Sequence, residues 1–183
     1  MGKQYDEISP ELGTWLGQQH VFFIATSPLA SDGHVNCSPK GMDTFRILGP
    51  RRVAYLDLTG SGVETVAHFR ENGRIVFMFA AFAGPPKIVR LHGTAEVITP
   101  ESPEWSDVSG SFPDQPGARA IISASLDRIS DACGWGVPEF AYVKERDALH
   151  RASESATVEQ MNAYWRENNS RSVDGLPGLE VLS

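Results

Sequence analysis

Cysteine is scarce in this chain: Cys37 and Cys133 are the only two among 183 residues. Two distant thiols exclude a disulfide framework, and with five dispersed histidines they fall short of the closely spaced ligands that a zinc site needs. No metal site is therefore expected. Apolar runs are short, none approaching the ~20 residues that a membrane-spanning helix requires. The opening "MGKQYDEISPEL" lacks the apolar core of a signal peptide, so the expected setting is the cytoplasm, with reduced thiols. Basic residues are outnumbered 16 to 23 and scattered, leaving a net charge of −7. That excludes a surface built to neutralise a nucleic-acid backbone, and any anionic ligand must find a local positive pocket. Also missing are a strict P-loop, a G-x-G-x-x-G and a G-x-S-x-G elbow. With no repeat and no linker, the length suits one domain over residues 1–183, with a core at about 12–143 and a helical tail at 144–183.

What the chain does have is a series of short apolar strands. Ser9-Pro10-Glu11 reads as cap, first helical position and first-turn acid, and Leu12, Trp15 and Leu16 follow at helical spacing. "HVFFIATS" and "HVNCSP" form a predicted hairpin across Asp32-Gly33, and "FRIL" and "RVAYLD" another across Gly49-Pro50. A helix is predicted from Gly62 to about Glu71, with Asn72-Gly73 as its left-handed exit. "RIVFMFAAF" is a central strand. "KIVRLHGTAEVI" alternates, with Val89, Leu91, Ala95 and Val97 on one face and Arg90, His92, Thr94 and Glu96 on the other. A short helix near Trp105 and an irregular loop precede "AIISASLDRIS", whose apolar positions fit both periods and which we read as a strand. Thr157 and Gln160 have capping-box spacing ahead of a helix carrying Val158, Met161 and Trp165 on one face, and the turn-rich end is expected to be loose or to lie across a partner. Six or seven hairpin-linked strands with one inserted helix indicate a mainly β, antiparallel barrel with peripheral helices.

The stretch from Ser38 to Thr65 carries the chemistry. "SPKG" opens it, and a strand ending in "YLD" runs into the turn "TGSGVET" and a helix. Ser61 and Glu64 stand at capping-box spacing, which either caps the helix and nothing more or, with Thr59, Gly60, Gly62 and a neighbouring lysine, holds a phosphate. His68 is expected on the helix surface, and Cys37 and Cys133 as small buried side chains. His92, beside Arg90, faces either a ligand or solvent.

The order strand, "SPKG", "YLD", Gly/Ser turn, "VETVAHFRENGR", "IVFMFAAF" and "VRLHGTAEVI" resembles the pyridoxamine 5'-phosphate oxidase-like family of FMN-binding split barrels. The likeness runs from about Leu12 to Glu96, with "CGWGVPEFAY" similar to a motif of one subgroup. It implies a homodimer with an FMN site at each side of the subunit interface, acting on a small molecule. By position it places Ser38, Pro39 and Lys40 on the strand lining the flavin and Tyr55, Leu56 and Asp57 on its neighbour. Thr59, Ser61, Glu64 and Thr65 fall at the phosphate, Arg90 near the ring's polar edge, and Trp135 in a segment reaching the site. The turn lacks the Arg-Lys pair of the true oxidases, and the C-terminus lacks their "R-L-H-D-R" type segment, so pyridoxamine phosphate itself is not the expected substrate. The expectation is an FMN-dependent oxidoreductase; an F420-dependent reductase of the same fold and a non-catalytic flavin-binding module are the alternatives. No catalytic side chain is singled out, since a flavin brings its own redox chemistry.

Overall fold

The computed structural model describes residues 2–180. Eight strands form one sheet: β1 (Gln4–Tyr5), β2 (Phe22–Thr26), β3 (Asn36–Lys40), β4 (Phe45–Gly49), β5 (Arg52–Leu58), β6 (Arg74–Ala80), β7 (Ile88–Ile98) and β8 (Ala118–Ala132). Their order is β3-β2-β6-β7-β8-β5-β4, with β1 joined to β8, and every pairing is antiparallel. This is the split barrel with peripheral helices anticipated from the hairpin pattern. The helices are α1 (Pro10–Gly17), α2 (Glu64–Glu71), α3 (Trp105–Ser109), α4 (Ala148–Glu154) and α5 (Val158–Asn168). The ambiguous run after Gly117 is a strand, the longest in the sheet at 15 residues.

Alternation explains the interior. Phe22 and Ile24 of β2, Phe77 and Phe79 of β6, Val89 and Leu91 of β7, and Ile122 and Ile129 of β8 meet in one core with Leu12 and Leu16 of α1. Helix α1 is set by its predicted cap, Ser9 Oγ accepting from the Leu12 amide at 3.2 Å. α5 has the predicted capping box: Thr157 Oγ1 accepts from the Gln160 amide at 3.2 Å, and Gln160 Oε1 from the Thr157 amide at 2.9 Å. Gly73, with φ of +66°, is the left-handed exit of α2, where a side chain would press on the carbonyl of Ala95.

Several expectations fail for identifiable reasons. α2 begins at Glu64, and its cap is Val63, which offers no side-chain acceptor; the Ser61–Glu64 capping box does not form. His68 is fully buried, because Thr65 to His68 is the stretch of α2 that packs inward, and its Nδ1 lies 2.8 Å from Thr26 Oγ1. Cys37 and Cys133 are both exposed, Cys37 because it is an outward position of β3. The turn-rich end, as far as Glu180, is not loose. It folds back on its own chain as a narrow hairpin, in which the Leu179 amide donates to Asn169 O and the Gly178 amide to Ser170 O, both at 2.8 Å.

Candidate functional site

The turn at Thr59–Gly62, the end of β5 and the edge of β3 enclose a cavity of about 510 Å³. Ser38, Pro39, Lys40, Leu56, Thr59, Ser61, Glu64 and Thr65 line it, so the structure brings eight of the twelve sequence-selected residues together. Asp57 lies directly behind the wall. Tyr55 alternates away into the core against Phe22 and Phe77, and its buried hydroxyl makes no hydrogen bond among the described residues. Burial, followed by the Asp57 charge, holds the Tyr55 hydroxyl well above its ordinary pKa. Arg90, on β7 opposite Met78 and Ser130, and Trp135, 83% exposed in the loop after β8, take no part in the cavity.

Asp57 organises the charge. Its side chain is 1% exposed and accepts from Lys40 Nζ at 3.1 Å and from Arg119 Nε at 2.7 Å. Burial alone would raise the Asp57 pKa, but the Lys40 and Arg119 cations overcome it and hold the carboxyl below the usual range. One carboxylate thus tethers two cations at a cavity wall, on which Glu64 is the further charged side chain.

Arg119 was invisible to sequence reasoning, and the reason is topological. Asp57 pairs with Ala120 but Leu58 with Ala118, so Arg119 is the extra residue of a β-bulge. Bulges re-aim a side chain out of the pleat. Here the guanidinium, though only 7% exposed, turns into the cavity wall. Its Nη1 donates to Gly62 O at 3.0 Å and to Asn169 Oδ1 at 2.8 Å, while Nη2 makes no hydrogen bond among the described residues. The only sequence signal was a lone arginine at the threshold of an apolar run.

The remaining donors are hydroxyls and main-chain amides. Gly60, Ser61 and Gly62 donate no amide hydrogen bond among the described residues, and the exposed Ser61 hydroxyl is free. Thr59 is different, since its hydroxyl already donates to Gly117 O at 2.7 Å and accepts from Trp165 Nε1 at 2.9 Å. A polar chain backs the far wall: Ser38 Oγ donates to Asn36 Oδ1, and Asn36 Nδ2 donates to Thr65 Oγ1, each at 3.0 Å. The rim passes through Met42, which with its neighbour Asp43 has a positive φ, +61° and +56°, at a cost of about 1–3 kcal/mol each. Arg46 offsets the strain by gripping both oxygens of Asp43, at 2.8 and 3.0 Å. This rim, with Gly41 and Thr44, is shared with a second cavity of about 460 Å³ over Phe22, Phe45 and Phe79. Free amides, a free hydroxyl and two tethered cations suit a compact anion such as a phosphate.

Comparison with known proteins supplies the family. The pyridoxamine 5'-phosphate oxidase description matches residues 8–136. This chain belongs to the pyridoxamine 5'-phosphate oxidase family. It is 35% identical over 192 aligned positions to the pyridoxamine 5'-phosphate oxidase family protein ustO of Aspergillus flavus, covering 96% of this chain and 77% of that one. Among solved structures, HupZ of Group A Streptococcus superposes with a TM-score of 0.54 at 20% identity, over 73% of this chain and 99% of that chain. A Clostridium acetobutylicum protein of the pyridoxinephosphate oxidase family, related to general stress protein 26, reaches 0.52 at 12% identity, over 67% and 86%. At such identities the two structures speak for the fold. The match to the family ends at Gly136, so the segment carrying Trp165 and Asn169, which bonds to Thr59, Gly60 and Arg119 here, lies beyond it.

Proposed function

We propose that this protein is an FMN-binding flavoprotein, a cytoplasmic oxidoreductase whose small-molecule substrate is not pyridoxamine phosphate. The observation that carries this reading is the cavity at the Thr59–Gly62 turn, in which three unengaged amides and the Ser61 hydroxyl stand beside the Lys40–Asp57–Arg119 cluster. Family membership supports it. Lys40, Ser61, Thr65 and Arg119 would hold the terminal phosphate, and Asp57 keeps both cations at the wall when no anion is present. Bound FMN supplies the electron transfer, so the protein need only bind, orient and shield it. Glu64 on the cavity wall disfavours an F420-type cofactor, whose longer acidic tail calls for a basic groove.

The homodimer is the second part of the reading. Trp135, Phe140, Tyr142 and Val143, all more than half exposed, form an apolar strip of the kind that marks a protein interface.

The test is direct. Protein purified from a flavin-replete host is expected to be yellow and to bind added FMN; a colourless protein that ignores FMN overturns the proposal, and failure to reoxidise reduced FMN with any acceptor reduces it to a passive carrier. Ser61→Ala sharpens it. Since Ser61 caps nothing, FMN affinity should fall while the denaturation midpoint stays within about 0.5 kcal/mol of the parent. Unchanged FMN affinity removes Ser61 from the site.

A further inference from the structure

The C-terminal segment is joined to the cavity by more than packing. Asn169, with no exposed surface, bridges three parts of the site: its Oδ1 accepts from Arg119 Nη1 at 2.8 Å, its Nδ2 donates to Gly60 O at 3.0 Å, and its backbone carbonyl accepts from the Leu179 amide at 2.8 Å. One turn earlier, Trp165 donates to Thr59. The hairpin leaves no slack behind Asn169, because a Cβ on Gly178 would lie 2.4 Å from Asn169 O and 2.6 Å from Val63 Cγ1. A guanidinium released from its pleat by a bulge is thus held on one side by a buried carboxylate and on the other by a buried amide. Its two remaining N–H groups, both on Nη2, are left for a ligand.

We propose that Arg119, aimed by Asn169, is the residue that selects a flavin bearing a terminal phosphate over the same flavin without one, which makes the C-terminal segment part of the cofactor site in its own subunit. This rests on the flavin reading above. Arg119 is the ligand-touching, specificity-determining group. Asn169 is a positioning residue that acts only through it.

Titration of FMN and of riboflavin against the full chain separates the possibilities. The parent protein should prefer FMN. Arg119→Gln should weaken FMN by about tenfold or more, as loss of a charge-assisted hydrogen bond does, with riboflavin affinity nearly unchanged. Arg119→Lys should recover part of the preference. Asn169→Ala keeps the Asp57 pair intact, so it decides the matter even where Arg119→Gln folds poorly: the FMN-to-riboflavin ratio should drop severalfold. If the parent prefers FMN and the ratio survives both Arg119→Gln and Asn169→Ala, or if Asn169→Ala weakens both ligands equally, the inference fails while the flavin reading stands. A parent that binds neither ligand sinks both.

Discussion

The two ends of β8 are finished in different ways. At its start, Arg119 is enclosed by Asp57, Gly62 and Asn169, and the chain's own last hairpin covers the turn. At its finish, past Ala132, the chain runs without helix or strand through Trp135, Phe140, Tyr142 and Val143. There it borders a groove of about 1350 Å³ with Trp15, Phe82, Pro85 and Pro86. Charge has been buried and paired at one end, while apolar surface has been left open at the other. Buried charge tolerates no missing partner, so the first end must be completed within the chain. Apolar surface is indifferent to which chain covers it, so the second can wait for a partner.

The largest expected effect comes from breaking the closed end. Asp57→Ala leaves Lys40 and Arg119 without their shared carboxylate and should cost about 3–5 kcal/mol in urea unfolding. A loss below about 1 kcal/mol would mean that the cations find water instead, and the contrast between the ends would lose its basis. At the open end the same logic predicts assembly changes with little loss of fold. Phe140→Ser with Val143→Ser removes side chains 61% and 84% exposed, so the homodimer proposed above should shift toward monomer in sedimentation while the monomer's urea midpoint hardly moves. A dimer that persists would place the interface elsewhere.

The smallest effect is in pH and concerns how tightly the closed end is closed. Burial holds the His68 pKa below its ordinary value, against the pull of Asp174, Glu64 and Glu71. The unfolded chain therefore takes up the proton first, near pH 6.5, and stability that is complete above that pH declines as the pH falls toward the folded value. His34 is raised by its hydrogen bond to Asp174, 2.6 Å away, and works in the opposite sense. Its contribution is present below about pH 6.5 and is lost as the pH rises through its folded value. Urea midpoints at about pH 5 and 7.5 should differ less in His68→Gln than in the parent; an undiminished difference would assign the acid sensitivity to other groups.

How much of this was legible in the sequence follows the range of the interactions. Alternation and turn residues are local, so β2–β3, β4–β5, β6–β7 and the α1 and α5 caps could be read directly. The composition of the cavity wall was legible where it lies on one stretch, from Ser38 to Thr65. What stayed hidden depends on register or on distance. Arg119 faces the cavity because of one surplus residue in a ladder, and Asn169 reaches Arg119 from 50 residues farther on. Ser61 misled because S-x-x-E spacing describes a cap only if the helix starts there, and it starts at Glu64. His68 misled because a helix beside a sheet has an inward side that a lone histidine does not announce.

Strand β8 also acts as a ruler. A second surplus residue, Asp127, separates the pairs His92–Arg128 and Gly93–Leu126, so seven residues, Ala120 to Leu126, lie between two fixed slips. Deleting any one of them would turn every following side chain inside out and pull Asp131 roughly 3.3 Å toward the cation cluster. The span between the two slips is thus fixed in length by the ladders on either side.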